Sequence, residues 1–130
     1  MNTTNTNASI VRSTSAVAGA RDSVRAFLGG LRQPSVDQDS ADSVVLVVSE
    51  LVTNALRHGG GACTLDLTAH PDSIEVAVHD ASPHAPRMRV PDLHGGNGGF
   101  GWPMVNHLAR ATAVTRRTGG GKTVSALFAR

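Results

Sequence analysis

One helical stretch, apolar on one face and polar along its border, constrains this chain more than any other feature. Residues 49–60 read SELVTNALRHGG. At about 100° per residue, Val44, Val48, Leu51, Val52 and Ala55 share one face. That face is long and apolar enough to be core, and Gly59 ends the helix. Glu50, Asn54 and His58 follow at i, i+4 and i+8 along its border, with Arg57 beside them. An acid, an amide and an imidazole at the edge of a buried face are costly unless something uses them. The stripe is either the solvated flank of an amphipathic helix or a ridge facing a ligand. In the second reading, the carboxylate and the amide oxygen are hard donors that suit Mg²⁺ carrying a phosphate-bound substrate.

The chain has 130 residues, which suits one compact domain with a real core. Its net charge of +2 comes without long Lys/Arg runs, which argues against a direct nucleic-acid partner. With three Phe and one Trp there is no aromatic platform for single strands. Cys63 is the single cysteine, so neither an internal disulfide nor a thiolate metal site can form, as suits a reducing cytosol. No apolar run is long enough to span a bilayer, and the Asn/Thr-rich start lacks an apolar signal core. The expectation is a cytoplasmic protein without membrane contact.

Residues 1–8 read as a disordered tail and 9–130 as a single domain. A short edge strand over 9–13 precedes a helix from a cap near Ser15 to about Leu31. The helix carrying the polar stripe begins near Asp37. Strands are expected over 62–68 and 73–80, joined by a turn at Pro71-Asp72. Ile74, Val76, Val78 and Asp80 have one parity, so a carboxylate closes an apolar row. It either caps the next turn or accepts hydrogen bonds from a ligand. Residues 81–99 lack periodicity and hold Pro83, Pro86, Pro91 and a glycine run, which reads as a lid or an insert. A helix over 102–111 has Pro103 in its first turn, and strands over 112–117 and 122–129 close the chain.

The glycine run ends directly before that last helix, where backbone N–H groups could cradle a phosphate; a plain flexible loop is the alternative. It is no dinucleotide fingerprint, because a Pro-rich loop precedes it instead of a strand. Gly120-Gly121-Lys122-Thr123 is no phosphate loop either, since Arg116 stands where a glycine is required and no helix follows. The six His have no zinc spacing, and no G-x-S-x-G elbow exists. Helix stripe, Asp80 and glycine loop together offer a base, a metal ligand, a buried acceptor and phosphate donors. A purine nucleotide uses all of them.

At this point the motifs resemble a known family. Residues 50–58 (ELVTNALRH) are similar to the N box of the GHKL superfamily of ATP-binding domains. Asp80-Ala81-Ser82-Pro83 looks like its first glycine box in an Asp-x-Ser form, and Gly98-Gly99-Phe100-Gly101-Trp102 like the second. Gly121-Lys122-Thr123 matches its last short motif. Within the superfamily the chain resembles small bacterial anti-sigma-factor serine/threonine kinases from about Ser9 onward. The resemblance implies an α+β fold: a two-layer sandwich (the Bergerat ATP-binding fold) with helices on one face of a mixed, mostly antiparallel sheet. It implies ATP and Mg²⁺ as cofactors, with Glu50 as general base and Asn54 on the metal. Arg57 and His58 would line the nucleotide, Asp80 would bind the adenine amine, and Ser82 and Thr123 would support it. Gly96, Gly98, Gly99 and Gly101 would wrap the phosphates. The implied partners are an anti-sigma-factor antagonist, which is phosphorylated, and a sigma factor, with a homodimer common in the family. The alternative is a partner-interaction module that binds ATP without catalysis.

Overall fold

Strand alternation builds the sheet. The computed structural model describes residues 5–32, 34–82 and 101–130. Strands β2 (Cys63–Ala69), β3 (Ser73–Asp80) and β5 (Lys122–Ala129) alternate buried and half-buried residues along almost their whole length. Leu65, Leu67, Ile74, Val76, Val78, Val124, Ala126 and Phe128 therefore form one continuous apolar face, each at most 5% exposed. The opposite face carries Thr64, Asp66, Glu75, His79, Thr123 and Ser125, all half-buried. Strands β1 (Asn5–Val11) and β4 (Ala111–Arg116) complete the sheet in the order β1-β2-β3-β5-β4.

Every pairing is antiparallel among the described residues, where a mixed sheet was expected. The crossover from β3 through helix α3 (Gly101–Leu108) does leave β3 and β4 running the same way. The tight β4–β5 hairpin then inserts β5 between them, so the two parallel strands never touch.

Helices α1 (Val17–Gly29) and α2 (Gln38–His58) cover the apolar face. Helix α2 contributes Val44, Val45, Val47, Val48, Leu51, Val52 and Ala55, all buried, and it contacts β2, β3 and β5. Helix α1 adds Ala20, Val24 and Leu28 and packs on α2. A single 3₁₀ turn, Thr14–Ala16, leads into α1, so Ser15 is not its cap. Helix α3 stops at Leu108 because the Arg110 N–H is already bonded to the Leu127 carbonyl at 2.7 Å, which starts β4.

Strand β1 begins at Asn5, so residues 5–8 belong to the sheet and not to a disordered tail. Asn5 pairs with Ala69 and Ala8 with Asp66. An edge ladder needs only main-chain donors and acceptors, so exposed Asn and Thr side chains are no obstacle to it.

Helix α2 starts where Asp37 caps it, its carboxylate accepting from the Ser40 N–H at 2.7 Å. Arg57 and His58 in the last turn face the negative end of the helix dipole. The Asp37 carboxyl is held below the usual carboxylate range, first by the Ser40 backbone N–H and then by its side chain. A folded-state value below the unfolded one gives stability above the unfolded value, lost as pH falls through the folded one. Asp37→Ala is therefore expected to lower Tm by about 2–5 °C at neutral pH. Circular-dichroism melts should show the gap between variant and wild type closing on acidification below the carboxylate range.

Candidate functional site

On β2, β3 and β5 the buried inner face is apolar until its last row, where it carries two charges. Asp80 ends β3 and Lys122 opens β5, and the antiparallel register sets them opposite each other. Lys122 Nζ lies 3.0 Å from Asp80 Oδ1 and 2.9 Å from Oδ2. The two side chains are 6% and 2% exposed. The Ser82 N–H also donates to Asp80 Oδ1, at 2.9 Å. Asp80 thus does cap the following turn, and its carboxylate is in addition paired with a buried cation.

The C-terminal end of α2 closes against this carboxylate. A Cβ on Gly59 would lie 2.6 Å from Asp80 Cγ and Oδ2 and equally close to the Ala55 carbonyl. The Ala81 N–H donates to the Gly59 carbonyl at 3.2 Å, tying the strand end to the helix end. On the other side stands Gly121, with φ +83°, whose added Cβ would run into the Asp80 carbonyl oxygen. A carboxylate fits here because both neighbours lack a side chain.

The polar ridge of α2 climbs away from this point. Asn54 is half-buried and sits about 7 Å back along the helix axis from Gly59. Its side chain makes no hydrogen bond to the described residues, so the amide oxygen is open to a ligand. Glu50, one turn further back, is also half-buried, while Arg57 and His58 are exposed. Gly101 opens α3; Gly96, Gly98 and Gly99 lie outside the described residues. Among the described residues no group of three or more His, Cys, Asp or Glu could hold a metal. A single amide oxygen still suits Mg²⁺, which takes one or two protein oxygens together with substrate phosphates and water.

Thr123 is not part of this constellation. Its hydroxyl lies 2.6 Å from His79 Nδ1 on the opposite face of the sheet, and His79 Nε2 lies 2.7 Å from Asp66 Oδ2. Parity is the reason: Val124, Ala126 and Phe128 point inward, so Lys122 does too and Thr123 points outward. A cavity of about 420 Å³ lined by Ser40, Ser43, Leu108 and Arg110 lies at the other end of α2, and no expected site residue lines it.

The family model of the histidine kinase-like ATPase domain matches residues 11–128. The chain belongs to the histidine kinase-like ATPase family. The matched span runs from the last residue of β1 into β5, so it takes in both layers and the Asp80–Lys122 row. The GHKL resemblance read from the motifs is borne out. Among solved structures, the RsbU and RsbW domains of Rv1364c from Mycobacterium tuberculosis match with a TM-score of 0.63 at 16% identity. That match covers 95% of this chain and 33% of the other, so the chain spans about a third of that structure's length and shares its fold. No curated protein matches significantly. No helix among the described residues is long and apolar enough to cross a membrane.

In this ATPase domain Cys63 lies beside the charged row. Burial first, and the Asp80 charge second, push its thiol up to about 11. Cys63 should therefore resist alkylation by iodoacetamide in the folded protein at pH 8 and react readily in denaturant, as mass spectrometry would read.

Two glycines of the turn before β5 allow strain to be separated from collision. Gly119, at φ +89°, has nothing within 4 Å of an added Cβ, whereas Gly121 meets the Asp80 backbone. Gly119→Ala should cost about 1 kcal/mol. Gly121→Ala should cost about 2–4 kcal/mol, read as the larger drop in urea midpoint.

Proposed function

We propose that the chain is an ATP-binding regulator of the anti-sigma-factor serine/threonine kinase type. In this reading it phosphorylates an antagonist protein and sequesters a sigma factor. The observation that carries it is a buried carboxylate, Asp80, where the end of the N-box-like helix meets the sheet of a histidine kinase-like ATPase domain. Similarity to a structure of RsbU and RsbW domains supports the fold-level part of the reading.

A carboxylate has about four lone-pair sites, and Lys122 and Ser82 leave one for the exocyclic amine of a base. Asn54, with its open amide oxygen, would hold Mg²⁺. When bound, Mg²⁺ offsets the phosphate charge. Glu50 would take the proton of the attacking Ser or Thr hydroxyl as its oxygen bonds the γ-phosphorus and the bond to ADP breaks.

Asp80 is a poor residue on which to test this. Asp80→Asn leaves the buried Lys122 ammonium without a counter-charge, which costs several kcal/mol of fold stability. The helix residues separate the roles better. Glu50→Gln should bind ATP as the wild type does and lose about 10²–10⁴-fold in phosphotransfer. Asn54→Ala should weaken ATP in Mg²⁺ and change little in EDTA. Calorimetry reads the binding, and label transfer from γ-labelled ATP to proteins captured on the immobilised chain reads the chemistry. Binding of ATP by wild type with no captured protein ever labelled would replace the kinase with a non-catalytic ATP-binding partner module.

A further inference from the structure

The ammonium of Lys122 is only partly used. It is 6% exposed and carries three N–H donors. Its acceptors are the two oxygens of Asp80, at 3.0 and 2.9 Å, and among the described residues it bonds to no other group. Burial of an ion pair is offset only when the remaining protons and lone pairs also find partners. On the acid, one lone-pair site remains beyond those taken by Lys122 and Ser82. The pair therefore holds a spare donor beside a spare acceptor, next to the end of α2 at Gly59.

We infer that Lys122 is a base-reading residue: its spare N–H donates to purine N1 while Asp80 accepts from the adjacent exocyclic amine. The inference rests on the nucleotide reading given above. The matching chemistry is an amidine edge, a donor amine beside an acceptor ring nitrogen, which adenine offers at N6 and N1. A 6-oxopurine offers an acceptor and a donor in reverse order, so it would meet the ammonium and the carboxylate with the wrong partners in this orientation. Lys122 thereby sets both affinity and base choice from a strand position facing the helix layer.

The test compares ATP with 1-deaza-ATP, which keeps the amine and replaces N1 by C–H, using calorimetry on the whole chain. Wild type should bind 1-deaza-ATP about tenfold more weakly than ATP, and ITP more weakly still. In Lys122→Met, ATP should weaken and the difference between ATP and 1-deaza-ATP should shrink to within about twofold. Should that variant fail to fold, ¹⁵N-lysine NMR on the wild type decides: the Lys122 Nζ resonance should shift with ATP and stay near its free position with 1-deaza-ATP. Equal binding of the two nucleotides by wild type, an undiminished difference in Lys122→Met, or equal Nζ shifts would each overturn the inference while leaving the ATP site standing. Failure of wild type to bind any of these nucleotides would overturn both.

Discussion

The Asp80–Lys122 ion pair is the one place among the described residues where charge is buried. The one other buried polar residue among those described is Ser73, at the far end of β3 and of the opposite parity. Two ions removed from water are tolerable only with close geometry and further hydrogen bonds. Antiparallel register supplies the geometry by setting residue 80 directly opposite residue 122. The Ser82 N–H supplies a further bond to the acid. Gly59 and Gly121 supply room, since a Cβ at either would intrude on Asp80. The carboxylate thus ties β3 to β5, and the Ala81 N–H bonded to the Gly59 carbonyl ties the same end of β3 to α2.

Most of the layering was legible from periodicity. The spacing of Val44, Val48, Leu51, Val52 and Ala55 placed the inner face of α2, and all five are buried. The alternation in β3 placed Asp80 inward with Ile74, Val76 and Val78, and it is. The start of β1 was hidden for a physical reason. Asn and Thr on an edge strand leave no apolar signature, because backbone pairing alone holds residues 5–8. The absence of parallel neighbours among the described strands was hidden as well. Strand order depends on where the β4–β5 hairpin inserts, and no local pattern records that.

The inward parity of Asp80 was legible on β3, and that of Lys122 went unread on β5. Matching Gly121-Lys122-Thr123 to a motif put the hydroxyl of Thr123 toward the nucleotide. The strand's own alternation says otherwise: counting back by twos from Phe128 through Ala126 and Val124 reaches Lys122. The same parity argument that placed Asp80 would have found its partner. Thr123 has different work, on the other face, where His79 joins it to Asp66 and so links β2, β3 and β5. These are cross-strand contacts on a half-buried surface, the kind that steady a sheet whose other face carries the core.

Lys122 instead of Thr123 on the inner face is a change of chemistry, not only of residue number. A hydroxyl can both donate and accept, so it adapts to whatever base edge it meets. An ammonium only donates, and a buried one needs a counter-charge close beside it. The two residues therefore act as a unit: substitution at either strands the other in a low-dielectric layer. A third element is bound into the same unit. Gly59 ends α2 beside the carboxylate, and its carbonyl accepts from the Ala81 N–H, so the last turn of the helix is pinned to the end of β3. Placement of Asn54 and Glu50 along that ridge follows from helical rise once Gly59 is anchored. The strand end that carries Asp80 thus fixes the origin from which the residues of the helix are measured.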